Sequence, residues 1–207
     1  MPRDATLTRA KILDQAERLF ATRGVYQATV REITVAAGQR NSSALNYHFG
    51  SREGVLFAIL AKHAAPLDAE RAELVQEPLS HMATRELVTA LLVPYSRRLR
   101  TDEGRNYLRI VAQLTDLFPI WGVDTELNPP VQRAVLAELE RRAGADVDVA
   151  RERVIEMIML LTTATAERAR VVHEGLRPAL DDARFLANLA DTLVAILDAP
   201  AGPPLPR

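Results

Sequence analysis

Cysteine is absent from the 207 residues, which excludes disulfides and thiolate metal sites and fits a reducing compartment. Long apolar runs are missing as well. The most apolar stretch, Val154 to Ala166, is interrupted by Glu156 and falls short of the ~20 residues needed to span a bilayer. The first residues lack the apolar centre of a secretion signal, because Arg3, Asp4, Arg9, Lys11, Asp14, Glu17 and Arg18 come early. The expectation is a cytoplasmic protein with no membrane partner. Patterns of catalysis are scarce too. The four histidines (His48, His63, His81, His173) are scattered, and none forms H-x-x-x-H or H-E-x-x-H. The nine glycines make neither a phosphate loop nor a dinucleotide fingerprint, and no nucleophile elbow frames a Ser, His and Asp. From this we expect no enzyme, no metal and no cofactor.

What is present is a globular composition, 48% hydrophobic with a net charge of −1, long enough for an ample core. The near-neutral total hides an asymmetry. Residues 1–52 carry eight basic side chains (Arg3, Arg9, Lys11, Arg18, Arg23, Arg31, Arg40, Arg52) against four acids, a net of +4, and the remainder is acidic by −5. A basic small unit on an acidic larger one suits a polyanion partner at one end, although scattered solvated charge gives the same count.

Apolar residues recur at helical spacing almost everywhere, and no stretch alternates long enough to argue for a sheet. The expectation is an all-α fold of about nine helices. It divides into a helix-turn-helix domain at 1–52, a helical domain at 53–199 and a frayed Pro-rich tail at 200–207. The first helix is expected over Thr8–Arg23, with Ile12, Leu13, Ala16, Leu19 and Phe20 on one face and Gly24 behind it. Thr29 and Glu32 have capping-box spacing, Ile33, Ala36 and Ala37 make a narrow apolar stripe, and Gly38 ends this second helix. Asn41, Ser42 and Ser43 offer an N-cap for a third, carrying Ala44, Leu45, His48 and Phe49. Ser51 caps a fourth, with Val55, Leu56, Ile59 and Leu60 buried, which Pro66 kinks or divides. Later helices are expected at about Thr84–Arg100 with a kink at Pro94, Asp102–Leu117, from Asn128 as N-cap and Pro129 as first residue, Asp148–Glu174 and Asp181–Asp198.

Two helices as short as those around Gly38 need a third behind them, and the trio is the minimum unit that can present one helix to the major groove. Ser42, Ser43, Asn46 and Tyr47 project from the third helix, with Arg31, Arg40 and Arg52 close by. Asn and Arg can read base edges, while Tyr47, His48 and Arg52 suit phosphates. Tyr47 and His48 can equally pack within the small bundle.

The run Leu45-Asn46-Tyr47-His48-Phe49-Gly50-Ser51-Arg52-Glu53-Gly54-Val55-Leu56 resembles the signature of the TetR (tetracycline-repressor-like) family of transcriptional regulators. So do Ile12-Leu13-x-x-Ala16-x-x-Leu19-Phe20-x-x-Arg23-Gly24 and Thr29-Val30-Arg31-x-Ile33-x-x-Ala36-Ala37-Gly38. The match covers roughly residues 8–60. Two positions depart from the family pattern. Seven residues, Gln39 to Leu45, separate the turn glycine from the aromatic run where six are usual, and Asn46 replaces the first aromatic. The resemblance implies that Thr29 caps onto phosphate and that Arg31 reaches a base edge or phosphate. It makes Ser42, Ser43 and Asn46 base-reading candidates, with Tyr47, His48 and Arg52 on the backbone.

By the same resemblance the later helices hold an effector and pair two chains. Leu92, Tyr95, Tyr107, Phe118, Trp121, Met157 and Met159 are candidate pocket residues, or plain core. Broad apolar faces on the last two helices, with Ile158, Leu161, Thr165 and Ala169 on one and Phe185, Leu189, Leu193 and Ile196 on the other, suit a two-fold four-helix interface or a monomer's own core. The expected function is a homodimeric repressor, nucleoid-associated when bound to a palindromic operator and released by a small apolar or aromatic effector. The alternative is a helical small-molecule carrier or enzyme that has lost DNA binding.

Overall fold

The computed structural model describes residues 2–114, 127–144 and 146–200. Among these, apolar spacing of three and four is met by helix throughout. The order is α1 (Pro2–Arg23), α2 (Val30–Ala36), α3 (Ser43–Phe49), α4 (Arg52–Leu74), α5 (Thr84–Arg97), a 3-10 turn (Arg98–Arg100), α6 (Asp102–Val111), α7 (Pro130–Arg142), α8 (Val147–His173) and α9 (Asp182–Leu197). No described helix is long and apolar enough to cross a membrane.

Local signals set most of the ends. The capping box at α2 is complete: Thr29 Oγ1 accepts from the Glu32 backbone N–H at 3.2 Å, and Glu32 Oε2 accepts from the Thr29 N–H at 2.9 Å. These bonds, the backbone one foremost, hold the Glu32 carboxyl below its usual range. Gly38 follows at φ +69°, a left-handed conformation that glycine reaches without strain. Ser51 caps α4 through Gly54 N–H at 3.0 Å. The cap of α3 departs from expectation. Ser42 makes no side-chain cap, and Asn41 Oδ1 instead accepts from the Ser43 N–H at 3.0 Å. The additional residue of the turn is thus taken up by an Asx-type turn before the helix.

Of the expected effects of proline, division of a helix does not occur at Pro66. Pro66 and Pro94 lie inside continuous helices. Pro66 is on the exposed side of α4, where water can take the carbonyl it frees. The N-terminus of α7 also differs: Pro129, not Asn128, is the N-cap. With no capping side chain of its own, α7 is capped from a distance. Buried Asp68 on α4 accepts from the Val131 N–H at 3.0 Å and the Gln132 N–H at 2.8 Å, placing a carboxylate on the positive end of the helix.

One hydrophobic core runs from Ile12, Phe20 and Leu45 through Val55 and Ile59 to Leu108, Met157 and Leu193. It crosses residue 52 without a break, because α4 begins there and belongs to both parts. α6 lies centrally, packed on α1 and α8. At Gly104 its backbone comes so near the 3-10 turn that an added Cβ would stand 2.1 Å from the Arg98 carbonyl oxygen. Beyond its other end, Gln113 Oε1 accepts from the Val25 N–H at 2.7 Å, and its amide donates to the Phe20 carbonyl at 3.3 Å. α6 is thereby tied to the loop that follows α1.

Candidate nucleic-acid interface and effector cavity

α3 is seven residues long and turns one side inward. Leu45 is fully buried, while Ser43, Asn46 and Tyr47, at positions i, i+3 and i+4, are exposed together with Ser42. Tyr47 is 82% exposed, so packing does not account for this ring. His48 is half-buried and meets Tyr47 edge-on, centroids 5.0 Å apart. Arg31 on α2 and Arg40 in the turn are exposed. Arg9 on α1 lies over the Phe49 ring at 4.8 Å.

Two expected phosphate contacts are otherwise engaged. The Thr29 hydroxyl accepts from Glu32 N–H and donates to Glu32 Oε2 at 2.8 Å, so the cap already uses it. Arg52 donates to the Val25 carbonyl, pairs with Glu53 at 3.2 Å and covers the Phe20 ring at 5.7 Å. These contacts make Arg52 a clamp between α4 and the loop after α1. Tyr26, 62% exposed, and Val35, 67% exposed, lie beyond the sequence reading.

Behind the reading head is a cavity of about 880 Å³, within the size range of small-molecule sites. Its wall is built by α1 (Arg9, Leu13), α4 (Leu60, Leu67, Arg71), α5 (Leu91, Tyr95), α6 (Tyr107) and α8 (Met157, Ile158, Leu161). Of the expected pocket residues, Tyr95, Tyr107 and Met157 line it. Leu92 and Met159 do not: each lies around its helix from a lining neighbour, Leu92 buried on the far side of Leu91 and Met159 40% exposed. Phe118 and Trp121 lie outside the described residues.

The expected pairing face is also redistributed. Leu161, Thr165, Ala169, Leu189 and Leu193 are buried within the single chain, where they fill its own core, and Ile158 and Leu161 line the cavity. Phe185 and Ile196 are half-buried against that core. Apolar stripes of this width serve either purpose, and here the core takes most of them. Met159 and Val172 on α8 remain exposed.

Two polar clusters adjoin the cavity. In the first, His63 Nε2 is 2.9 Å from Glu17 Oε1, both buried, and the ring stacks on Tyr107 with centroids 4.2 Å apart. Glu17, His63 and Glu103 bring ligand atoms within 4.8 Å of one another. The Lys62 ammonium bonds both carboxylates, so the positive charge a metal would supply is already in place. In the second, Arg71 and Tyr95 are buried, and Arg71 Nε, Arg71 Nη1 and Tyr95 Oη have no hydrogen-bond partner among the described residues. Burial pushes the Tyr95 phenol well up, raises that of Tyr107 to about 12 and lowers the Arg71 guanidinium. Arg71 was visible in the sequence only as a cation on the stripe Leu60, Ala64, Leu67 and Arg71.

The described helices thus form a helix-turn-helix head joined to a helical body that holds a cavity. Residues 12–59, the helix-turn-helix head and the start of α4, match the family described as "Bacterial regulatory proteins, tetR family". It is 42% identical over 82 residues to the HTH-type transcriptional repressor KstR2 of Rhodococcus jostii, covering 39% of this chain and 40% of that one. It is 38% identical over 72 residues to the HTH-type transcriptional repressor AcnR of Corynebacterium glutamicum, 35% and 36% of the two chains. The chain thus spans about two fifths of the length of the curated relatives it matches. In fold it is similar to NalD, the secondary repressor of the MexAB-OprM multidrug efflux pump in Pseudomonas aeruginosa. The TM-score is 0.57 at 20% identity, covering 93% of this chain and 96% of that one.

Proposed function

We propose that this protein is a ligand-responsive transcriptional repressor that binds a palindromic operator as a homodimer through α3. The observation that carries the reading is the outward face of α3, where Ser42, Ser43, Asn46 and a Tyr47 ring 82% exposed stand clear of the core between Arg31 and Arg40. Arg31 and Arg40 supply phosphate or guanine contacts, Asn46 and the serines read base edges, and Tyr47 and His48 set register on the backbone. The pairing surface is the outer side of α8 and α9, where Met159 is exposed, rather than the stripes used by the core.

The cavity reaches the head by two routes. Arg9 and Leu13 of α1 are part of its wall, and Tyr107 on that wall stacks on His63, which holds Glu17 of α1. An effector that binds one setting of α1 better than the other shifts the spacing of the two heads by its differential affinity.

The test is retention of DNA flanking the protein's own gene, measured between 50 and 200 mM salt. We expect affinity to fall steeply with salt, as phosphate contacts require. Affinity indifferent to salt, or no retained fragment, overturns the reading.

A further inference from the structure

We propose that the effector carries an oxyanion, a carboxylate in the first instance, on an apolar body, and that Arg71 and Tyr95 receive it. The inference rests on the cavity being an effector site. Its walls are largely aliphatic: Leu60, Leu67, Leu91, Leu136, Met157 and Leu161. Into them project a guanidinium 4% exposed and a phenol 5% exposed, and among the described residues none of Arg71 Nε, Arg71 Nη1 and Tyr95 Oη has a hydrogen-bond partner.

The nearest carboxylate does not complete the pair. Asp68 Oδ1 is 3.7 Å from Arg71 Nη1, beyond a hydrogen bond, and both Asp68 oxygens already accept from the first turn of α7. Arg98 adds a second cation acting on Arg71 and Tyr107, while its own partner is Glu70. Tyr95 and Tyr107, the other polar rings beside Arg71, are neutral phenols at pH 7, because burial raises both.

Among the described residues the cavity therefore holds positive charge and donor capacity in excess of its acceptors. A buried cation left this way is costly unless something pairs with it. Water can take the donors but adds no charge to that of Asp68, 3.7 Å away and already shared with α7. A carboxylate does both, with charge-assisted bonds from Arg71 and a further bond from the Tyr95 hydroxyl. An ammonium head is repelled, and an alcohol gains only a neutral bond.

The test is a headgroup series on one apolar body, titrated into the full-length protein by calorimetry: decanoate, decyl phosphate, decanol and decyltrimethylammonium, with phenylbutyrate as an aromatic carboxylate. We expect a carboxylate to bind at least about tenfold more tightly than decanol, with no binding of the ammonium. Decanoate against decyl phosphate separates a free acid from a phosphate-bearing effector, and preference for either over decanol supports an oxyanion site. Arg71→Met should bring carboxylate and alcohol to equal affinity, and Tyr95→Phe should lower only the carboxylate's. Equal binding of decanoate and decanol to the native protein, or no binding of any member, overturns the proposal. If Arg71→Met does not fold, the native series and Tyr95→Phe decide it. Carboxylate selectivity without DNA binding would sustain this inference and defeat the proposed function, and operator binding without headgroup preference would do the reverse.

Discussion

The imidazole of His63 lies nearly parallel to the phenol of Tyr107, 4.2 Å between centroids with a 24° tilt, while its Nε2 contacts Glu17 at 2.9 Å. One face of the ring therefore meets the wall of the cavity and one edge meets the first helix of the reading head. His63→Gln keeps a side-chain amide for Glu17 and removes the stacked ring. The expected variant is folded and binds decanoate, but decanoate changes its operator affinity at least about fivefold less than in the native protein. Operator titrations with and without decanoate measure this ratio. An unchanged ratio means that the coupling runs elsewhere.

Arg31 and Tyr47 are exposed and do not contribute to the core. Arg31→Ala and Tyr47→Ala are each expected to weaken operator binding about tenfold or more without altering the helical circular dichroism spectrum. If Arg31 holds a phosphate, its removal also lowers the salt slope by about one. Loss of helicity in either variant would reassign that side chain to packing.

Arg52→Ala should behave in the opposite way. It breaks a charge-assisted bond to the Val25 carbonyl and uncovers Phe20, which costs about 2 kcal/mol and lowers the melting temperature by about 4–8 °C. Differential scanning calorimetry beside Arg31→Ala separates a clamp from a ligand: the melting temperature falls for Arg52→Ala and stays for Arg31→Ala.

Glu138 supplies a pH dependence. Hydrogen bonds from Arg141 and then Arg142, opposed by burial, hold its carboxyl down to about 2. A carboxyl with a lower pKa in the folded than in the unfolded state stabilises above the unfolded value of about 4.3, and this contribution disappears as pH falls toward 2. Glu138→Gln should therefore cost about 1 kcal/mol at pH 7, with the difference from the native protein closing between about pH 4.5 and 2. Urea unfolding across that range reads it directly.

Much of the reading head was legible because its signals are local. Thr29 and Glu32 stand three apart and close a capping box, and Gly38 reaches a positive φ with no Cβ to oppose it. The contacts that organise the body are not local. Asp68 caps a helix more than sixty residues on, and Gln113 holds Val25 across 88 positions. Nothing at Asp68 or Gln113 distinguishes either from a solvated side chain. The bond from Arg52 to the Val25 carbonyl was hidden for a related reason: a basic residue at that place in the sequence fits a phosphate as well as a carbonyl. The stripes of α8 and α9 were ambiguous by nature, since apolar width records burial but not whose surface does the burying.

The tight approach at Gly104 makes α6 a lever with a fixed end. The backbone there abuts the Arg98 carbonyl, a contact that opposes displacement at this end of the helix. Tyr107, the residue an effector would touch, stands three positions from this fulcrum, about 4.5 Å along the axis, and Val111, the last residue of the helix, stands seven positions away, about 10.5 Å. A tilt about that point carries Val111 roughly twice as far as Tyr107. A displacement of a few tenths of an ångström in the cavity arrives magnified at Val25, where Arg52 fastens the same loop to α4.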